Sequence, residues 1–336
     1  MPRRRPSRRV IVFSCVVLAC VGSAVTYMGL AVADSRRSAP PPGVRVTMGA
    51  SLASDSSGAR ILFVSMIPDK TVGKLAVASL SDPNSARAVT DLSCERVYYA
   101  GGRGLCLTRG GLLKSAYVAK ICDADFHVLR EVPLPGIPSR ARVSPDGRYG
   151  ATTMFVRGDS YASANFSTRT AIVDMNTGET VADLEKLPVT RDGTRFWRRN
   201  FNFWGVTFAG DDDHFYASLG SGTRTYLLVG SLRTRTLRVI HEHVECPSLS
   251  PDGTRIAFKR SIDTSGNWRL YVLDLRTMHE TALAENDPID DQAEWIDNEN
   301  VAYGNDITAW QVPADGTGKP QKLLAQAYSP TVVRTP

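Results

Sequence analysis

One short turn sequence recurs in this chain, and its recurrence constrains the fold more than any other feature. Val143-Ser144-Pro145-Asp146-Gly147-Arg148-Tyr149-Gly150-Ala151 is echoed by Leu249-Ser250-Pro251-Asp252-Gly253-Thr254-Arg255-Ile256-Ala257-Phe258. Proline presets φ, aspartate bonds back to the following backbone, and glycine takes the left-handed position of a tight turn. The apolar residues on either side supply the two strands of a hairpin. Asp146, Gly147, Asp252 and Gly253 are therefore read as structural turn residues. Weaker copies stand at Ser56-Ser57-Gly58, at Ala100 to Gly104, at Gly210-Asp211-Asp212-Asp213 and at Ile296 to Asn300. The turns fall near positions 58, 102, 147, 212, 253 and 298, a mean spacing of 48 residues.

Each turn is followed by a strand, a loop and a second apolar stretch, as in Thr170-Ala171-Ile172-Val173-Asp174 and Arg269-Leu270-Tyr271-Val272-Leu273-Asp274. A fourth strand closes the unit, as in Thr180-Val181-Ala182-Asp183-Leu184. Four short strands in a unit of this length make one propeller blade. Six units predict an all-β, six-bladed β-propeller over residues 46–336, with no amphipathic helix. The interval from 147 to 212 is too long by about 20 residues. The surplus is expected as a loop, at Phe155–Ser167 or at Pro188–Asn202.

Residues 10–33 form a run of 24 without a charge, preceded by Arg3, Arg4, Arg5, Arg8 and Arg9. About 20 apolar residues cross a hydrocarbon core, and the positive-inside rule carries the downstream chain across the membrane. Residues 1–33 are accordingly expected to be a basic tail and transmembrane signal-anchor. Cleavage after Ala31-Val32-Ala33 would instead release a secreted protein. Residues 34–45, with Pro40-Pro41-Pro42, read as an extended linker. The formal charge of +6 belongs to the tail, because residues 34–336 hold 35 basic and 34 acidic side chains. Nucleic-acid binding needs a concentrated basic face, so no nucleic-acid partner is expected.

With these repeats the chain resembles the TolB-like β-propellers, over roughly residues 50–334. That family includes periplasmic partners of envelope lipoproteins and the propeller half of some serine peptidases. With Pro336 shortly after the sixth unit, the α/β-hydrolase half of such peptidases is not expected. The resemblance implies a non-catalytic binding or scaffold protein of the cell envelope, recognising a protein or peptide partner at the mouth of the central channel. Membrane contact would be through the N-terminal helix.

The hydrolase pattern Gly-x-Ser-x-Gly is absent. Gly158-Asp159-Ser160-Tyr161-Ala162 comes nearest and lies in a hairpin loop, not at a strand-to-helix elbow. His241 and His243 share a strand face but fall on an outer strand, so they are read as surface residues. No metal site and no cofactor are expected. The starts of the inner strands are more informative. Arg140, Asn202, Trp204, Glu245, Asp291, Gln292 and Glu294 stand where apolar residues would be expected. They are candidates for a polar funnel with an aromatic floor, suited to a peptide or a sugar. The competing expectation is that they form structural ion pairs inside a wet channel. An enzymatic alternative is an envelope carbohydrate-active or lactone-opening enzyme in which Glu245 and Asp291 or Glu294 divide the acid and base roles.

Cys94, Cys106, Cys122 and Cys246 lie where disulfides are permitted. At most one bridge is expected, Cys94–Cys106 or Cys106–Cys122. The first requires an irregular entry at Cys94, which regular pairing would leave about 17 Å out of register.

Overall fold

The computed structural model describes residues 17, 20, 22, 23, 44–53, 58–110, 116–162, 166–263 and 266–334. Apart from residues 17, 20, 22 and 23, the expected transmembrane segment lies outside the described residues, as do the linker up to residue 43 and the turn residues Ser56 and Ser57. Among the described residues no helix is long and apolar enough to cross a membrane.

Six sheets, each built on antiparallel strands, follow one another around an axis. Blade three is representative. Its strands Ile137–Val143, Tyr149–Arg157, Ser167–Asp174 and Thr180–Asp183 run from the axis outward. The inner strands of the remaining blades are Arg96–Ala100 in blade two, Phe201–Phe208 in blade four, Glu245–Leu249 in blade five and Glu294–Trp295 in blade six. Apolar side chains alternate between blades, as the two faces of a buried strand require. Leu62, Leu75 and Val77 of blade one pack with Val97, Tyr99 and Cys106 of blade two.

Blade one is closed by the opposite end of the chain. Its inner strand is Ala327–Val333, paired antiparallel with Arg60–Ser65. The last residues therefore do not trail beyond blade six but lock the ring. Arg87, fully buried, adds a polar tie by donating to the Ala325 carbonyl of blade six at 2.6 Å. A strand at Arg45–Met48 runs parallel to Ala86–Ser93 on the outside of the same blade.

The repeated turn is more specific than proline, aspartate and glycine alone suggest. Ser144 donates its hydroxyl to Asp146 Oδ1 (2.5 Å) and accepts from the Tyr149 amide (2.8 Å), while Asp146 accepts from the Arg148 amide (3.0 Å). Ser250 and Asp252 repeat all three bonds, to one another and to the amides of Arg255 and Thr254. Gly147 has φ +77°, and a Cβ there would lie 2.3 Å from the Gly101 carbonyl oxygen. The turns of blades two and three touch at that point, so glycine is required by space as well as by φ.

The surplus between blades three and four is not a loop. Residues 188–200 hold a two-stranded hairpin, Val189–Arg191 and Thr194–Phe196, added parallel to the outer strand Thr236–Glu242. Its connection is Asp192-Gly193, with φ +51° and +73°, the signature of a two-residue hairpin turn. Of the expected bridges, Cys94–Cys106 forms, with Cα atoms 5.5 Å apart. Blade two begins its regular pairing only at Arg96, and the preceding bend brings Cys94 into reach. Cys122 and Cys246 are free and buried.

The two mouths of the channel

All six inner strands run in the same sense, so the axis has two unlike mouths. At one the strands enter; at the other lie the repeated turns.

The entry mouth is roofed by side chains, with Asp290 exposed at its edge. From the hairpin loop of blade three, Tyr161 turns inward and is 8% exposed. Its ring lies 5.4 Å from Trp204, 4.8 Å from Phe155 and 5.4 Å from Phe166. Its hydroxyl is 2.7 Å from that of Ser139. The corresponding loop of blade five meets this one, since a Cβ on Gly266 would fall 2.6 Å from Ala162 Cβ. Beneath this roof sit two cations. Arg140 lies 5.2 Å from the Tyr161 ring centre and 3.5 Å from Asp290 Oδ1. Lys259, with no exposed surface, pairs with the same carboxylate and lies 4.1 Å from the centre of the Trp268 ring. Trp268 Nε1 donates to Glu245 Oε1 at 3.1 Å. Burial pushes the Glu245 carboxyl above its usual range, against the opposing pull of Lys259. Burial likewise pushes up the Tyr161 phenol and the Cys246 thiol.

One layer deeper, Arg142 and Glu294 form a buried ion pair, with side chains 6% and 3% exposed. Arg142 also donates to Ser248 Oγ (2.9 Å) and the Ala293 carbonyl (2.7 Å). Glu294 Oε1 further accepts from the Tyr98 hydroxyl and the Val332 amide, both at 3.3 Å. The Tyr98 phenol is pushed up to about 12 by burial, with the Glu294 charge adding to it. A cavity of about 30 Å³ remains at this level, lined in part by Arg96, Arg140, Arg142, Asp291 and Gln292. That is about the volume of one water molecule.

The turn-side mouth is open. A cavity of about 310 Å³ enters from that face. Tyr99, Phe208 and Trp295 wall it, Pro145, Gly210 and Pro251 stand on its exposed rim, and Arg142 and Glu294 form its polar floor. Trp295 is fixed by donating its Nε1 to the Ser248 carbonyl at 2.8 Å.

The candidate funnel residues are thus distributed rather than assembled. Arg140, Glu245 and Trp204 belong to the packed entry mouth. Asp291 accepts from the Gly304 amide (2.9 Å) within blade six, and Gln292 donates to the Pro247 carbonyl (2.7 Å), tying blade six to blade five. Asn202 accepts from the Thr168 amide of blade three (3.2 Å). Glu294 alone reaches the open cavity. Sequence reasoning missed Arg142, Tyr161, Lys259, Trp268 and Asp290. It also missed Asp123, Asp125 and His127, whose potential ligand atoms lie within 4.8 Å of one another. Asp123 there accepts the Asp125 and His127 amides of its own turn. His241 and His243 do not converge, as His241 Nε2 pairs with Glu280 at 2.8 Å and the nearest carboxylate to His243 is Glu242 at 3.9 Å.

No family model matches the sequence, and no curated protein matches it. Solved structures do. The fold is similar to that of TolB from Acinetobacter baumannii, at 15% identity and a TM-score of 0.57, over 84% of this chain and 68% of that one. It is also similar to a propeller in the nidogen/laminin complex, at 9% identity and a TM-score of 0.56, over 82% of this chain and 98% of that one. At such identities the likeness establishes the six-bladed, TolB-type fold.

Proposed function

We propose that the chain is a non-catalytic binding protein of the cell envelope, tethered or exported through its N-terminal segment, that takes a protein or peptide segment into the turn-side mouth. The observation that carries this reading is the cavity of about 310 Å³ there, within the size range of ligand pockets. Its apolar walls and fixed polar floor suit a side chain or chain end inserted from a partner. The nidogen/laminin propeller, seen in a protein complex, is consistent with a protein partner.

The channel carboxylates support binding over catalysis. Glu245 is held by Trp268 beneath the roof, and Glu294 is occupied by Arg142, Tyr98 and the Val332 amide. A general acid or base must reach the proton it moves, and Glu245 is buried.

Gly210 offers the test. It does not have a left-handed φ, and a Cβ there would meet nothing within 4 Å. Gly210→Trp therefore fills the rim without disturbing the fold. Cross-linking of the full chain in its own envelope is expected to lose its partner in this variant. It is expected to keep the partner in Tyr161→Phe at the other mouth. Retention of every partner by Gly210→Trp sinks the proposal.

A further inference from the structure

The added hairpin of blade four has a purpose that the channel does not explain. Blades two, three, five and six have four strands, and blade four has six. The extra pair carries Arg195, Trp197, Arg198 and Arg199 to the outer edge. Phe196 turns inward, with ring centres 5.0 Å from Phe201 and 5.5 Å from Tyr226. Its neighbour Trp197 is left 62% exposed, on a segment held in place by that half-buried anchor.

Charge on this edge is one-sided. Among the described residues Arg195, Arg198, Arg199, Arg224 and Arg238 have no carboxylate within salt-bridge distance. The two acids nearest in the sequence to this edge, Asp192 and Glu242, are both taken by Arg191. Strand register gathers the remaining cations. Arg195 pairs with Thr190, which pairs with Arg238. Partners in register point to one face, so these guanidinium stems stand about 10 Å apart, two strand spacings. Arg224 pairs with Ser221, whose hydroxyl donates to Asn200 Oδ1 (3.0 Å), fastening the exit of the hairpin beside it. Arg195, Arg198 and Arg199 flank the exposed indole in the sequence, Arg238 shares the face of Arg195, and Arg198 lies over the Phe196 ring, 5.4 Å from its centre.

We propose that this edge is a docking surface for an acidic polysaccharide. Guanidinium forks match carboxylate and phosphate groups, and a flat exposed indole offers an apolar face to a sugar ring while keeping its polar edge wet. A folded protein partner is less suited, because stable interfaces need an apolar centre. Trp197 is the one large exposed hydrophobic side chain described between residues 189 and 242. A bilayer is less suited as well. The strand Arg45–Met48 fixes the N-terminal side of the chain to blade one, across the ring from blade four. A membrane holding residues 10–33 draws blade one toward it and leaves this edge facing away.

The test uses the full chain in detergent micelles and immobilised polygalacturonate as probe. Binding is expected at low salt, with release as salt screens the contacts, and none to neutral dextran. Trp197→Ala and the double variant Arg195→Gln/Arg199→Gln are each expected to weaken retention about tenfold, the scale of about 1.4 kcal/mol. A control at exposed cations of blades one and six, Lys70→Gln/Lys319→Gln, is expected to bind as the parent does. The proposal fails if polygalacturonate is not retained at low salt, or if Trp197→Ala binds unchanged. It fails equally if poly-L-glutamate or phosphatidylglycerol vesicles bind as tightly as the polysaccharide, or if the control loses as much. Circular dichroism of each variant separates loss of binding from loss of fold.

Discussion

The two mouths of this channel are built from the same six strands and end in opposite ways. At the entry mouth, Tyr161 from the loop of blade three and Trp268 from the start of a strand in blade five cover the axis. The cations and carboxylates there find their partners in one another. At the turn-side mouth the connections are too short to reach inward. Ser-Pro-Asp-Gly turns spend their side chains on their own backbone, and the axis stays open. Loop length, more than polarity, decides which end of such a ring can admit a ligand. Polar residues at strand starts signal a demand for partners, and that demand can be met internally.

The floor between the mouths is where this contrast is most breakable. Glu294→Ala leaves Arg142 buried with its charge uncompensated, and removing one partner of a buried pair costs about 3–5 kcal/mol. Urea unfolding is expected to show a loss of that size. A loss under about 1 kcal/mol would mean that water reaches Arg142 from the turn side. Next in size is Tyr161→Ala, which empties the centre of the aromatic roof. Large-to-small changes at buried aromatic positions cost about 3 kcal/mol or more. Unlike Gly210→Trp at the other mouth, expected within about 0.5 kcal/mol of the parent, it removes buried contacts. If both variants prove equally harmless, the aromatic roof is not packed over the entry mouth.

How much of this was legible in the sequence depends on the same contrast. Turns carry their information locally, so Asp146, Gly147, Asp252 and Gly253 gave the blade count and spacing directly. The hairpin at Val189–Phe196 was also announced locally, by Asp192-Gly193 between alternating residues, but it was masked by the expectation that surplus length means loop. Closure of blade one by Ala327–Val333 is a pairing across almost the whole chain, and no local signal marks it. The plug was illegible for a subtler reason. Reflecting Glu245 through the hairpin pairing of Leu249 with Ile256 lands on Arg260. The inner strand bulges at Cys246, φ +50°, and the actual partner is Lys259. A bulge shifts register by one and swaps the face presented, so that Glu245 faces the buried Lys259 and not the half-buried Arg260. Tyr161 comes from a loop, where no periodicity predicts which side chain points inward.

The smallest expected effect concerns pH and isolates Glu245 within the plug. Its folded pKa is raised by burial above the 4.5 of an ordinary glutamate, so folding favours the protonated form. The stability this contributes is fully present below about pH 4.5 and is lost as pH rises through the raised folded value. Lys259 faces it across the strand pair, Asp290 is already paired with Lys259 and Arg140, and Cys246 stays a thiol through this range. Glu245→Gln keeps an oxygen for Trp268 Nε1 and has no proton to lose. Thermal unfolding of the variant is therefore expected to gain on the parent as pH is raised from about 4.5 toward 8, by on the order of one or two degrees. A gap that is constant with pH would place the Glu245 carboxylate in contact with solvent, and the entry mouth would then be a second open end rather than a plug.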